Sequence, residues 1–338
     1  MLTRPAHAVA ALATAAALAL AGCSSTAAES TTASESSFVA PAAQEAAFPR
    51  TVTHELGDTE IPAAPERIVS TSITITGALL AIDAPLAASA ATTPVEGLTD
   101  ENGFFSQWAD VAVERGVEVL YPNLEIDIEA IIAADPDLII LSMTGAEAAG
   151  DYYDELAAIA PTIAVNYSNK TWQEVTVLAG EWTGLEAQAE TVVSGFDATV
   201  ADAAASLALP EGSTQAIVYN NLEWDSAVGK PGGPHATLLS ALGFDIVGAD
   251  DALDTAEQAR DDFAFIAPEN LNQAFTGDTI LLVNGSDTEK DALLGAELLA
   301  NVPAVVNEQV YPLGPTSFRI DYYSALEIVD TIVGYFGS

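Results

Sequence analysis

Arg319 stands in the stretch TSFRIDYYSAL, residues 316–326, as one of nine Lys and Arg in a chain that carries 49 Asp and Glu. A guanidinium among aromatic rings can stack on a planar ligand and donate in a fork to its oxygens. It can equally close an ion pair with a neighbouring acid such as Asp321, and in so acidic a chain the ion pair is the favoured reading. Two further cations fall on connections of the same half. Lys230 lies in the Gly/Pro-rich loop GKPGGP and Arg260 precedes DDFAFIAPENL. Together the three could rim one crevice. Arg67, which leads into a strand, and Arg50 and Arg115, in carboxylate-rich surroundings, read as surface pairing partners.

Chemistry of other kinds is missing. The sequence has no G-x-S-x-G, S-x-x-K or H-E-x-x-H, no G-x-G-x-x-G, and the GK at 229–230 lacks the upstream glycine of a phosphate loop. Nothing therefore points to an enzyme or a bound cofactor. Beyond the first 22 residues only His54 and His235 remain, too few for a multi-histidine zinc or manganese site. His54 reads as an ordinary residue of a polar, exposed segment, and His235 as a helix-capping residue rather than one lining a cleft. The acidic run GADDALDTAEQARDD lacks the glycine and register of a calcium loop and reads as a solvated face. A formal charge of −40 excludes nucleic acid and anionic membrane surfaces as partners, because both reward the Lys and Arg that the chain lacks.

To bring Arg319, Lys230 and Arg260 together, the chain must supply layers that end in loops on one side. Apolar runs at 67–70, 86–90, 137–142, 162–166, 215–220, 245–249, 279–284 and 309–313 read as strands. They alternate with helical spacings such as Ile75, Ala78, Leu79 and Ile82. This pattern predicts an α/β fold with mostly parallel sheets. Tyr322, Ala325, Leu326, Val329, Val333 and Phe336 predict a last helix capped by Asp321. Residues 185–207, alanine-rich and without proline, predict one helix roughly 34 Å long, a rod between two lobes. The segments IDIEAIIAADPDLIILS (126–142) and IAPENLNQAFTGDTILLVN (266–284) echo each other across that rod. Two similar lobes, with a ligand site between them at the carboxyl ends of the strands, follow from the echo.

The N-terminus reads separately. Residues 1–22 have a short basic start and an apolar run from Ala8 to Ala21 that is too short to span a bilayer, the pattern of a signal peptide. Leu20, Ala21, Gly22 and Cys23 resemble a bacterial lipobox, which implies lipidation of Cys23, the single cysteine. Residues 23–47 read as a flexible tether, 48–180 as a first lobe, 181–209 as the connecting helix and 210–338 as a second lobe.

RIVSTSITITGALLAIDAPLAASAATTP (67–94) resembles the ferric-enterobactin-binding proteins of bacterial iron importers. NGFFSQW, LYPN, YYDELAAIAPTIAVNY, TWQEV, AIVYN, VPAVVNEQVYPLG and FRIDYYSA continue the resemblance in order from about residue 48 to the C-terminus. It implies two Rossmann-like lobes joined by one long helix and a cleft for a ferric catecholate siderophore, with the iron held by the siderophore and no protein ligand to the metal. It also implies an ABC permease as partner and an extracytoplasmic, membrane-anchored location. Arg319 with Tyr322 or Tyr323, Arg260, Lys230, Trp224, Thr71 and Ser72 are then ligand-binding positions, and Glu129 and Glu269 the carboxylates that dock on the permease. Two arginine positions of the enteric proteins are here Gly97 and Ser106, and their cleft tryptophan falls near Gly229. The same scaffold serving a ferric hydroxamate or a cobalamin is the alternative.

Overall fold

Most of the apolar runs that read as strands are buried on both faces, as parallel strands covered by helices must be, whereas the run at 245–249 is only partly buried. The computed structural model describes residues 48–256 and 260–338, so the expected signal segment, Cys23 and the tether lie outside the described residues. The described chain opens on a hairpin of β1 (Arg50–His54) and β2 (Gly57–Ile61). A parallel sheet follows, built from β3 (Ile68–Ser70), β4 (Leu86–Ser89), β5 (Glu118–Val119), β6 (Leu138–Ser142) and β7 (Thr162–Val165). Its order is β5-β4-β3-β6-β7. The connections carry α1 (Ile73–Ala81), α2 (Ser106–Glu114), α3 (Ile128–Ala133) and α4 (Tyr153–Ala157), and α5 (Trp172–Thr183) follows the last strand.

Gly184, at φ 76°, ends α5 in the left-handed conformation that glycine adopts without a Cβ penalty, and α6 (Glu186–Ser206) begins two residues later. Its 21 residues span roughly 31 Å at 1.5 Å each. Its buried side chains form one stripe shared between two cores. Ala189 packs in the first lobe, and Phe196, Val200 and Ala203 pack in the second. The helix expected over 185–207 is thus a rod with one end in each lobe.

The second sheet comprises β8 (Ser213–Val218), β9 (Ser226–Gly229), β10 (Asp245–Ile246), β11 (Phe263–Ile266), β12 (Thr279–Leu282) and β13 (Val310–Pro312). Its order is β11-β9-β8-β12-β13, with β10 also pairing β8. Here the expectation of parallel strands holds for β8, β10, β12 and β13, while β9 and β11 run antiparallel. The strands are covered by α7 (Pro234–Ala241), α8 (Leu271–Ala274), α9 (Asp287–Leu294), α10 (Pro303–Val306) and α11 (Tyr322–Phe336).

Asp321 caps α11 as its position suggests, accepting the backbone N–H of Tyr323 and Ser324 while the Ser324 hydroxyl accepts the N–H of Asp321. The buried face of α11 runs through Ala325, Ile328, Val329, Ile332 and Phe336. Full burial of each large apolar side chain contributes about 1.5–3 kcal/mol, which ties the helix to the second core. Its N-terminal end also packs on α1 and α2 of the first lobe. No helix among the described residues is long and apolar enough to cross a membrane.

Candidate functional site: the cleft between the lobes

Arg319 follows the carboxyl end of β13 through a short 3-10 turn, Pro315–Phe318, and its backbone is extended at φ −98° and ψ 101°. Its guanidinium reaches the other lobe. It donates to the Thr74 hydroxyl of α1 at 3.2 Å and lies 5.3 Å from the centre of the Phe105 ring, just before α2. Among the described residues no carboxylate oxygen lies within 4.0 Å of it, and the Asp321 carboxyl turns instead to the cap of α11 and to Gln107. Among the described residues the ion pair favoured by composition is absent, and the ring beside the guanidinium is Phe105. Tyr322 packs toward the second core, 5.9 Å from Trp172, whereas Tyr323 packs against the first. The two tyrosines therefore straddle the junction of the lobes.

The first-lobe wall around Arg319 is built of loops leaving the carboxyl ends of β3, β5, β6 and β7. Glu147, after β6, is buried, and its Oε1 accepts from the Ser72 hydroxyl at 3.3 Å and the Tyr167 phenol at 3.1 Å. Its Oε2 has no hydrogen-bond partner among the described residues. Burial pushes the Tyr167 phenol up to about 12, with the Glu147 charge adding to the rise, while the Thr74 hydroxyl and the Arg319 charge oppose it. Burial also raises the Tyr121 phenol, which donates to the Thr71 carbonyl at 3.4 Å. Both phenols thus remain protonated donors. Thr71 and Ser72 themselves are buried: the Thr71 hydroxyl donates to the Ile140 carbonyl, and the Ser72 side chain caps α1. They form the wall from beneath.

The second-lobe wall is aromatic. Phe318, 40 % exposed, stacks on Phe263 at 5.7 Å, and His235 lies behind that ring at 5.1 Å. His235 corrects the expectation of a capping residue. It is the second residue of α7, is buried, and its Nε2 donates to the Ser317 carbonyl at 2.7 Å. Burial brings its pKa down to about 4, so the neutral imidazole holds the turn leading to Arg319. His54 also differs from expectation. It is half-buried, with its ring nitrogen 2.9 Å from the Thr59 hydroxyl.

Lys230 and Arg260 are engaged elsewhere. Lys230 pairs with Asp254 at 3.0 Å and donates to the Arg260 carbonyl. Arg260 forks onto Asp262, with Nε 2.8 Å from one oxygen and Nη2 2.5 Å from the other. Asp254, from the run expected to be a solvated face, also accepts the N–H of Ala256 and Phe265. These hydrogen bonds and Lys230 hold its carboxyl below the usual range against the opposing cost of burial. Trp224, in the turn after β8, is 72 % exposed. Glu129 and Glu269 are exposed in the first turns of equivalent short helices, each followed by a buried parallel strand. Arg50 and Arg115 pair with Glu186 and Asp83, while Arg67 donates to the Ala134 carbonyl. Phe105, Phe318, Thr74 and Glu147 were missed by sequence reasoning. FF in NGFFSQW and F in FRIDYY were visible, but nothing local says that Arg319, beside the second, reaches Phe105 in the first across 200 residues.

Two α/β lobes joined by one helix, with a cleft at the strand ends walled by both, define a substrate-binding protein, and the chain belongs to the Periplasmic binding protein family, matching its model over residues 68–316. It is 40 % identical over 297 residues to the ferric enterobactin-binding periplasmic protein FepB of Escherichia coli O6:H1, covering 87 % of this chain and 93 % of that protein. The crystal structure of holo-ViuP superposes with a TM-score of 0.79 at 39 % identity, covering 86 % of this chain and 96 % of that one. The probable siderophore-binding lipoprotein YfiY of Bacillus subtilis is 29 % identical over 198 residues, 58 % of this chain and 57 % of that protein.

Proposed function

We propose that this protein captures a ferric catecholate siderophore outside the cell membrane and delivers it to an ABC importer. It is not an enzyme, and the ferric chelate is cargo rather than cofactor. The observation that carries the reading is Arg319, a cation without a carboxylate partner among the described residues, held between lobes beside Thr74 and Phe105. In a chain with 49 carboxylates such a charge is available to an anionic, ring-bearing ligand. Exposed Phe318 and Trp224 supply rings on the same lobe, and Arg260 and Lys230 are weaker rim contacts to the ligand that keep their partners Asp262 and Asp254. Tyr322, Tyr323, Thr71 and Ser72 shape the turn and the floor around that contact.

The likeness to FepB over nearly its whole length supports the catecholate class. Cys23 is the lipid anchor, a reading supported by the lipobox-like residues and by the lipoprotein YfiY; residues 23–47 are the tether between it and the folded part, whose lobes 48–180 and 210–338 are joined by the inter-lobe helix of 181–209. Glu129 and Glu269 meet the permease. Titrating the purified protein by tryptophan quenching tests the ligand class. Saturable quenching by ferric enterobactin, with little by ferrichrome or cobalamin, is expected. Tight binding of ferrichrome alone would overturn the reading.

A further inference from the structure

The turn that presents Arg319 touches the first lobe twice. Arg319 and Asp321 lie two residues apart in extended chain, so their side chains leave on the same side. They meet the same two helices: Arg319 contacts Thr74 and Phe105, and Asp321 contacts Gly77 and Gln107. Thr74 and Gly77 are one turn apart on α1, and Phe105 and Gln107 open α2. Ile320, between them, leaves on the opposite side and lines an apolar cavity of 330 Å³ with Trp172, Phe196, Val200 and Leu238.

The second contact is the more buried one. Asp321 is buried, and its Oδ2 accepts from Gln107 Nε2 at 3.2 Å. Any side chain at position 77 would intrude, since a Cβ there would stand 2.7 Å from that oxygen. Asp321 is also locked to Arg319 through the backbone, because the Ser324 hydroxyl accepts the Asp321 N–H at 2.9 Å and donates to the Arg319 carbonyl at 2.8 Å. Gln107 Oε1 is buried without a partner among the described residues, so the amide contributes to this contact through its nitrogen.

We propose that Asp321 and Gln107 are positioning residues for Arg319: a hydrogen bond across the lobe junction sets the turn that aims the guanidinium into the cleft. The inference rests on the reading of Arg319 as a ligand contact. Removing either partner leaves a buried polar group unsatisfied and frees the turn, so the effect on binding passes through Arg319.

A double-mutant cycle with ferric enterobactin as probe tests this. Gln107→Leu is expected to weaken binding about tenfold, the size of a hydrogen bond to a charged group passed on to its neighbour. In the Arg319→Ala background the same change is expected to weaken binding by less than about twofold, because its target is gone. Asp321→Ala should behave like Gln107→Leu, and Asp321→Asn, which keeps the cap and a hydrogen bond to Gln107, should restore affinity. Gln107→Met replaces Gln107→Leu if the latter does not fold. An equal loss in both backgrounds would overturn the proposal, as would an unchanged affinity in Gln107→Leu while Arg319→Ala binds weakly. Wild-type affinity in Arg319→Ala itself would overturn the reading beneath it as well.

Discussion

The two lobes are built alike and meet the cleft unalike. Each places a glutamate at the start of a short helix that feeds a buried parallel strand, Glu129 before β6 and Glu269 before β12. At the cleft, the first lobe offers a carboxylate, two phenols and hydroxyls around Glu147, whereas the second offers a guanidinium and stacked aromatic rings around Arg319. On the proposed function, the resemblance between lobes marks what a symmetric partner reads, and the difference marks what the ligand reads. On that reading an anion between these walls finds its charge partner on the second lobe alone.

Replacing both shared glutamates tests the first half of that statement. In the Glu129→Ala, Glu269→Ala double variant, uptake by whole cells should fall steeply while ferric enterobactin affinity stays within about twofold, since truncating one member of an interfacial charge pair costs about 2–5 kcal/mol at the partner interface. Radiolabelled-iron uptake and quenching titrations, run side by side, check it. Unchanged uptake would leave the two glutamates as ordinary helix-start carboxylates.

The second half turns on Arg319. Arg319→Ala should weaken ferric catecholate binding by about 2–4 kcal/mol, or roughly 30- to 1000-fold, as expected for loss of a desolvated charge contact. Arg319→Lys should recover part, because an ammonium keeps the charge and loses the planar fork. The melting temperature without ligand should hardly change. Lower stability with intact affinity would mean that the guanidinium merely ties the lobes together through Thr74.

Much of this contrast was hidden in the chain. The α6 rod, the Asp321 cap and the buried strands were legible because each depends on local spacing and burial on both faces. The hairpin β1–β2 was not, since RTVTH and GDTEI are half polar and exposed. The short antiparallel strands β9 and β11 were missed because four residues carry little period. The rim was half legible. Arg319 was singled out as unusual by its type, yet its neighbours Thr74 and Phe105 lie more than 200 residues away. The pairing of Lys230 with Asp254 and of Arg260 with Asp262 depends on loop geometry that composition cannot resolve.

The junction between lobes has a pH signature of its own. Burial raises the Asp321 carboxyl from 3.8 to about 6, against the hydrogen bonds of its cap and Gln107. The folded state therefore holds this proton more tightly than the unfolded chain does. Its contribution to stability is fully present below pH 4 and is lost as pH rises through 6, a difference of about 2–3 kcal/mol. Asp321→Asn lacks that titration, so the variant should match wild type near pH 4 and exceed it by that amount at pH 7. Taking the difference between the two proteins removes the opposite trend from His235, whose pKa falls to about 4 on burial. Parallel urea melts at the two pH values check it, and a constant difference between variant and wild type would refute it.

The smallest effects should come from the other two cations, and they decide whether Arg319 acts as a single charge or as part of a basic rim. Lys230 and Arg260 have carboxylate partners and Arg260 is nearly half exposed, so each cation's field at the cleft is largely cancelled by the acid beside it. The more exposed pair, Arg260 with Asp262, contributes less than about 1 kcal/mol to stability. Arg260→Ala and Lys230→Ala should each lower affinity for ferric enterobactin by less than about tenfold, and the loss should shrink further at high salt, where exposed charges are screened. Arg319, held between the lobes beside Phe105, should keep its effect across the same salt series. If either paired cation instead costs as much as Arg319 and resists salt, the ligand must displace Asp254 or Asp262 on binding. The charge partner on the second lobe would then be a rim of three cations that assembles only around the anion.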